Sequence, residues 1–242
     1  MGSGRCLVPW RADQSRKGGV LGPWRWPVIG SKVVPAYTIR WCLTFHGRMY
    51  HMFVIRRGRL EDFPFLYEVD VKDEGISVDF KAAWTLEDWE SYRQRLRMYL
   101  SSIDKVTFIA ENTSARAPIG VICACFRDID ADGYEPTSVF RSLPRSTFPP
   151  DGRFCEIYQL WVSPHYRRRG IAAKLKQDLE AECRSCGIEL IYTHTETSNR
   201  PVIALNHKLG YSEVRRGPIW DEVERVSLVK RLALEPTAQC QQ

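Results

Sequence analysis

Apolar residues follow two different spacings along residues 52–231, and segments of the two kinds follow one another along the chain. Runs in which every second residue is apolar, rich in β-branched and aromatic side chains, predict strands, and runs with apolar residues three or four apart predict helices. The predicted strands cover residues 52–57, 106–111, 119–127, 155–162, 188–194, 211–216 and 223–231, and the predicted helices cover residues 60–70, 85–100, 170–185 and 199–208. This order predicts an α/β domain with a mixed sheet and helices packed on its faces.

A basic turn precedes the predicted helix 170–185. Ser163 and Pro164 end the strand before it, since proline cannot continue a ladder, and Arg167-Arg168-Arg169-Gly170 leads into the helix. A small-residue turn that opens a helix leaves backbone N–H groups unpaired, with the positive end of the helix dipole behind them. Phosphate groups bind well at such a position, and the arginines add charge. The segment therefore predicts a phosphate-binding loop.

Two segments resemble the GNAT N-acetyltransferase superfamily. Residues 167–172, R-R-R-G-I-A, are similar to its (Q/R)-x-x-G-x-(G/A) signature. A second segment is similar to the family pattern N-x-x-A-x-x-L-Y-x-K-x-G-(F/Y), and its matching residues are Asn199, Val202, Leu205, Lys208, Gly210 and Tyr211. The resemblance extends over residues 49–233.

This resemblance implies a GNAT-like fold, a mixed and mostly antiparallel sheet flanked by helices in a single domain. It also implies an acyltransferase that uses acetyl-CoA as co-substrate. The implied pyrophosphate site is the loop 167–172, and backbone groups of the preceding strand are expected to bind the pantetheine arm. The implied cofactor-binding residues are Leu160, Val162, Arg167, Arg168, Arg169, Gly170, Ile171, Ala172 and Asn199.

A general base is needed because an amine attacks a thioester only in its neutral form, whereas most amines are protonated near neutral pH. Glu156 is the main candidate, because it lies on the predicted central strand, where the family commonly places such a carboxylate. His194, at the end of the next strand, is the alternative. A purely structural role for Glu156 remains open.

Asn206 marks a departure from the family pattern. Many members have a tyrosine there, thought to protonate the departing thiolate, whereas asparagine can donate a hydrogen bond but cannot act as an acid. The thiolate is a fair leaving group without help, since a thiol has a pKa of about 8.5. Tyr158, Tyr192 and Tyr211 are alternative acids, and the sequence does not choose among them.

The positive charge lies in the N-terminal segment. The chain of 242 residues has a net charge of +6, but residues 1–48 hold eight basic residues and one acidic residue, which leaves a net charge of −1 for the remainder. Nucleic-acid binding by the domain is therefore not expected. We predict a basic Gly/Pro/Trp-rich leader at 1–48 that is disordered or precedes the true start, a GNAT domain at 49–233 and a flexible tail at 234–242.

The eight cysteines do not suggest a disulfide framework. Cys183 and Cys186 form a lone C-x-x-C pair without two further ligands nearby, so no metal site is expected. Cys123 and Cys125 are expected to point to opposite faces of their strand. Free thiols and the lack of a long apolar run predict a cytoplasmic protein that does not enter a membrane.

The function predicted on these grounds is acetyl transfer from acetyl-CoA to a primary amine by direct attack. A CoA-binding regulatory module without turnover is the first alternative, and an interaction factor that uses the leader is the second. The acceptor, a small-molecule or peptide amine, is not defined by the sequence. The oligomeric state is also open, with a homodimer as one option.

Overall fold

The computed structural model describes most of the predicted domain. The described residues are 52–73, 84–131, 138–219 and 221–233, together with the backbone of two short strands, β1 (Leu43–Phe45) and β2 (Arg48–Tyr50). These two strands pair with each other in an antiparallel hairpin. The rest of the predicted leader, residues 1–42 and 46–47, and the predicted tail lie outside the described residues. The proposed boundaries of the three segments therefore stay predictions.

A single seven-stranded sheet organises the described domain. Its strands are β3 (Phe53–Arg57), β4 (Lys105–Asn112), β5 (Ala117–Asp128), β6 (Arg153–Val162), β7 (Leu190–Glu196), β8 (Ser212–Gly217) and β9 (Arg225–Arg231). Their order across the sheet is β3-β4-β5-β6-β7-β9-β8. Only β6 and β7 run parallel, so the prediction of a mixed, mostly antiparallel sheet is confirmed.

Of the five helices in the described residues, all but the short α3 lie close to positions predicted from the sequence. They are α1 (Phe63–Asp73), α2 (Leu86–Ser101), the short α3 (Ser138–Arg141), α4 (Ile171–Ser185) and α5 (Arg200–Lys208). At the start of α2, the Thr85 hydroxyl accepts a hydrogen bond from the Asp88 N–H at 3.1 Å, and the Asp88 carboxylate accepts one from the Thr85 N–H at 2.8 Å. This reciprocal capping fixes where the helix begins, one residue after the predicted start.

Apolar side chains cover both faces of the sheet. On one face, α4 buries Ile171, Leu175 and Leu179 against the central strands. On the other face, α1 and α2 cover β4 and β5, and the segment around α3 covers β6 and β7 through a separate aromatic cluster. Side chains of β6 alternate between the faces of the sheet. Cys155 therefore lies under α4, whereas Glu156 lies on the opposite face, between the helices α1 and α2 and the segment around α3.

The prediction for Cys123 and Cys125 is wrong. Both thiols belong to the same buried cluster, beneath Leu66 of α1. Residues two apart in a strand point to the same face, and only neighbours alternate. The five cysteines in the described segments are free thiols. The other three lie outside the described residues, so the expectation for all eight stays a prediction.

Within residues 52–73, 84–131, 138–219 and 221–233, no helix combines the length and the apolar character that crossing a membrane requires. The longest of them, α2, has 16 residues and carries several charged side chains.

Candidate active site

A gap opens in the middle of the sheet between β6 and β7. The register between these strands, both of which are described in full, consists of two pairs, Cys155 with Ile191 and Glu156 with Tyr192. Beyond these pairs β6 continues to Val162 and β7 to Glu196, and the two strands separate. Glu156 therefore lies at the closed end of the gap, roughly 20 Å along β6 from Val162 at the open end.

The backbone of β6 presents hydrogen-bonding groups to this gap. The Ser163 N–H donates to the Ile119 carbonyl oxygen of β5 at 2.9 Å. Because antiparallel pairing alternates along a strand, the polar groups of Leu160 and Val162 point away from β5 and towards the gap. Tyr158 is an extra residue in a β-bulge, since Ile157 and Gln159 pair with successive residues of β5.

The phosphate-binding loop predicted from sequence lies at the open end of the gap. Residues 167–170 are exposed, and the backbone of Gly170 is left-handed with φ +82°. Gly170 is the N-cap of α4, and no side chain caps the helix there. The first N–H groups of α4, at Ile171 and Ala172, are therefore available to an anion. A Cβ atom added at Gly170 would meet nothing within 4 Å.

Asn199 stands at the start of the other helix that borders the gap. It is the N-cap residue of α5, it is exposed, and its side chain makes no capping hydrogen bond. Its position directly after β7 and the following turn leaves its amide free to contact a ligand in the gap.

Glu156 forms an ion pair that was not apparent from the sequence. The Arg127 Nε donates to Glu156 Oε2 at 2.6 Å, and the Cys125 thiol lies 3.6 Å from the same oxygen. The Glu156 side chain is 13% exposed. The pairing of β5 with β6 brings Arg127 to Glu156, and no sequence motif marks Arg127. The ion pair holds the carboxylate at the closed end of the gap.

His194 lies on β7, on the same side of the sheet as Tyr192, whose ring centroid is 6.0 Å away. Burial and, to a smaller extent, the charge of Arg225 together lower the pKa of His194 from 6.5 to about 4. Proton transfer to this imidazole would create a second buried cation beside Arg225, so the structure favours Glu156 over His194 as the base.

The same pKa shift of His194 predicts acid sensitivity. The unfolded chain binds a proton at this residue below pH 6.5, whereas the folded chain resists protonation until about pH 4. The contribution of His194 to the free energy of unfolding is fully present above pH 6.5. About 3 kcal/mol of it is lost as the pH falls to 4. In denaturant titrations, the free energy of unfolding of the parent should fall by about 3 kcal/mol more between pH 7 and pH 4 than that of His194→Gln. The control His207→Gln, at an exposed position of α5, should follow the parent.

Asn206 is completely buried in α5. Neither its Oδ1 nor its Nδ2 has a hydrogen-bond partner among the described residues. Leaving a buried amide unsatisfied is costly, so both atoms would gain from a ligand atom or water. Like the buried tyrosines, however, the Asn206 amide is closed off from solvent in this structure.

The three tyrosines considered as acids differ in their surroundings. Tyr192 is buried, and its hydroxyl lies 2.9 Å from the Ser227 hydroxyl. Tyr211 is buried between α4 and the sheet, and burial raises its pKa well above 10.0. Tyr158 is partly exposed and stacks on Tyr99 with ring centroids 4.7 Å apart. Tyr158 is therefore the one of the three that a solvent-borne substrate can reach.

A buried lysine on α4 is a second feature that the sequence did not reveal. Lys176 is 1% exposed, its Nζ has no hydrogen-bond partner in the described part of the chain, and it lies 4.2 Å from the centre of the Tyr211 ring. Burial lowers its pKa from 10.5 to about 7, although the nearby Glu180 carboxylate opposes the shift. Glu180 instead pairs with Lys230 at 2.7 Å. This cluster lies under α4, away from Glu156.

No metal centre is evident where the chain is described. Those residues contain no group of three or more His, Cys, Asp or Glu side chains that could hold a metal ion. The C-x-x-C residues differ in environment, because Cys183 is buried and Cys186 is exposed. The expectation of no metal stays a prediction.

The sheet with one separating parallel pair, followed by the uncapped start of α4, fits the class of protein to which the comparisons point. The model of the acetyltransferase (GNAT) family matches residues 65–211, more than half of the 242 residues. This chain belongs to the GNAT family, whose members are N-acetyltransferases. A search of curated protein sequences finds no match.

Solved structures share the fold at low sequence identity. Arabidopsis thaliana NAA60 in complex with a bisubstrate analogue aligns with a TM-score of 0.56 and 17% identity, over 76% of this chain and 99% of that one. The same enzyme in complex with acetyl-CoA aligns with a TM-score of 0.55 and 18% identity, over 74% and 98% of the two chains. Salmonella typhimurium yncA with its cofactor acetyl-CoA has a TM-score of 0.50 and 16% identity, with 78% and 98% covered. The GNAT fold is thereby confirmed.

Proposed function

We propose that this protein transfers the acetyl group of acetyl-CoA to a primary amine. The observation that carries the proposal is the gap between β6 and β7, which has an uncapped helix start at its open end and a carboxylate at its closed end. An elongated thioester with a phosphorylated end fits this arrangement. The complexes of NAA60 and yncA with acetyl-CoA, which share the fold, support the choice of donor.

In the proposed complex, the pyrophosphate binds the loop 167–172, and the pantetheine arm lies along β6. The N–H groups of Leu160 and Val162 face the gap and donate to the arm, and the amide of Asn199 contacts it from the opposite side. The bulge at Tyr158 frees a further backbone N–H next to the closed end, because that residue has no partner on β5. Such an N–H is suited to stabilise the oxyanion of the tetrahedral intermediate.

The chemistry proposed at the closed end is direct attack. The amine nitrogen forms a bond to the thioester carbon, its proton passes to Glu156 directly or through water, and the carbon–sulfur bond then breaks. Arg127 occupies Oε2 of Glu156, so Oε1 is the oxygen that takes the proton. We keep the Nδ2 of Asn206 as the donor to the departing sulfur, which requires its completely buried amide to become accessible when acetyl-CoA binds. No covalent enzyme intermediate forms. The bisubstrate analogue bound by NAA60, which has the same fold, supports a complex of both substrates.

A CoA-binding regulator without turnover is the second candidate. Two observations favour it: Asn206 cannot protonate a thiolate, and one oxygen of Glu156 already accepts from Arg127. In both candidates acetyl-CoA binds in the gap. They differ only in whether an acceptor amine enters and reacts. We keep a small-molecule or peptide amine as the acceptor and the cytoplasm as the compartment.

Calorimetric titration of the full chain with acetyl-CoA, followed by a thiol-release assay over classes of amines, tests the proposal. Binding with thiol release for one class supports the transferase and identifies the class. Binding without release for any amine would support the regulator instead. If acetyl-CoA does not bind at all, both candidates are wrong.

Gly170→Val should weaken acetyl-CoA binding by about ten- to hundredfold, measured by the same titration. The left-handed backbone at Gly170 is unfavourable for valine, and a side chain there would occupy the space over the free N–H groups. Gly187→Val is a matched control, since Gly187 lies at the other end of α4 with φ +68° and open space around its Cβ position. Equal loss of affinity in both variants would mean that backbone strain, not the loop, is responsible.

A further inference from the structure

Two aromatic side chains lie on the same face of the sheet where β6 and β7 separate. The last register pair, Glu156 with Tyr192, is parallel, so both side chains lie on one face. Tyr158 lies two residues beyond Glu156, and it packs against the buried cluster beneath α1 and α2, so it stays on that face despite the bulge. His194 lies two residues beyond Tyr192 and is also on that face. The two rings therefore border the gap from opposite strands, next to the Glu156 carboxylate.

The wall of the gap on the β6 side is a stacked pair of tyrosines. Tyr158 stacks on Tyr99 of α2, with ring centroids 4.7 Å apart and an interplanar angle of 22°. Tyr99 is 6% exposed, and burial, with smaller effects of Cys125 and Glu156, raises its pKa well above 10.0. Tyr99 is therefore uncharged at neutral pH, and its stacking holds the half-buried ring of Tyr158 in one orientation.

The wall on the β7 side is an imidazole. Because the pKa of His194 is lowered to about 4, by burial first and by the charge of Arg225 second, this ring is uncharged near pH 7. Its centroid lies 6.0 Å from that of Tyr192, which packs in turn against the Phe140 ring at 5.0 Å. The aromatic cluster around α3 thus supports this wall. Both walls are aromatic and uncharged at neutral pH.

The charged side chains near these walls have partners or face water. Glu156 accepts from the Arg127 Nε at 2.6 Å. Arg225 of β9 donates to Asp221 Oδ2 at 3.0 Å. Glu196, at the far end of β7, is exposed. An ion pair attracts a further cation only weakly, and exposed charges are screened by salt, so a second ammonium on the acceptor would gain little here.

We propose that the acceptor is a monoamine that carries an aromatic or large apolar substituent, and that this substituent binds between Tyr158 and His194. The proposal rests on the proposed function, because it names the acceptor class of the same site. An apolar group between two uncharged rings is removed from water, and an aromatic group also gains ring contacts. The amine of such an acceptor lies next to Glu156, as direct attack requires. An arylalkylamine and a peptide that begins with an aromatic residue share this chemistry, so the experiment includes both.

The test is thiol release from acetyl-CoA by the full-length protein with two matched sets of amines. In the first set, 2-phenylethylamine is compared with propylamine and 1,4-diaminobutane. In the second set, a tripeptide that begins with phenylalanine is compared with one that begins with glycine. Rates are referred to the neutral fraction of each amine. In at least one set, kcat/KM of the ring-bearing amine should exceed that of the others by about ten- to hundredfold, and that set identifies the acceptor as a small molecule or a peptide.

Variants of the two walls test the assignment to these rings. Tyr158→Ala and His194→Ala should each lower the ratio of kcat/KM values in that set by about three- to tenfold, the usual contribution of one ring contact. Tyr158→Phe keeps the ring and should keep the ratio. Because each ratio is taken within one variant, a partial loss of folded protein affects all amines equally. Phe108→Ala is the matched control, since it removes a partly buried ring of β4 from the opposite face, under α4, and should also keep the ratio.

The outcomes separate this proposal from the proposed function. If no amine releases thiol with the parent protein, both are overturned. If thiol is released but the ring-bearing amine has no advantage in either set, the proposed acceptor class alone is wrong. The same holds if Tyr158→Ala and His194→Ala both keep the parent ratio, or if Phe108→Ala lowers it as much as Tyr158→Ala does.

Discussion

Replacing Glu156 by glutamine is expected to lower kcat by about 10²- to 10⁴-fold, the usual contribution of a general base, with little change in acetyl-CoA affinity. Glutamine keeps the shape of the side chain and an oxygen that accepts from the Arg127 Nε, 2.6 Å away in the parent. It cannot take the proton of the attacking amine. The measurement is steady-state thiol release with the acceptor class identified in the screen, together with calorimetric titration of acetyl-CoA.

The edge of the sheet provides a matched control for this substitution. Glu111 on β4 accepts from the Arg56 Nε at 2.7 Å, and its side chain is 20% exposed, so its ion pair closely resembles that of Glu156. Glu111→Gln removes a similar ion pair between neighbouring strands, and kcat should stay near that of the parent. If both variants lose activity equally, the loss reflects the fold. If Glu156→Gln keeps full activity, the carboxylate is structural.

Lys176→Met is expected to stabilise the protein at neutral pH by about 2–4 kcal/mol. The unfolded chain binds a proton at this lysine below pH 10.5, whereas the folded chain binds it only near pH 7 and below. The unfolded state therefore holds more protons between these values, and parent stability falls as the pH is lowered from 10.5 to 7, by about 4 kcal/mol. Methionine fills similar space without a charge. Denaturant unfolding at pH 7 and at pH 10 measures the difference.

A second lysine on the same helix is the control. Lys174 is also mostly buried, but it pairs with Asp178 one turn further along α4. Lys174→Met leaves that carboxylate without its cation, so this variant should lose about 1–3 kcal/mol at pH 7. If Lys176→Met raises the free energy of unfolding and Lys174→Met lowers it, the stabilisation comes from removing an ammonium that has no ion-pair partner. A destabilised Lys176→Met would show instead that the ammonium is well accommodated above the Tyr211 ring.

The elements of this fold are predictable because their signals are local. The capping residues Thr85 and Asp88, the proline after β6 and the apolar spacing of α4 each act within a few residues of the boundary they set. The predicted bounds of the strands therefore lie within two residues of those observed. Gly170 was recognisable for the same reason, since a helix start that needs a left-handed residue selects glycine.

The contacts of the site were less predictable because they depend on register between distant strands. Arg127 reaches Glu156 through the pairing of β5 with β6, and a bulge at Tyr158 shifts that pairing by one residue. Nothing near either residue in the sequence indicates the shift. Lys176 was missed because it lies beside the apolar stripe of α4, where a lysine normally extends its ammonium to solvent.

The separation of β6 from β7 also has a consequence for how the chain folds. β4, β5 and β6 follow one another and pair as neighbours, and β7, β8 and β9 form a second antiparallel group. Contacts within each group are close in sequence, whereas the two groups meet across the long α4 connection, so we expect each group to assemble before they join. The proposed cofactor then binds between two folding units. Because it binds only when the two units are joined, it stabilises the complete native state by mass action.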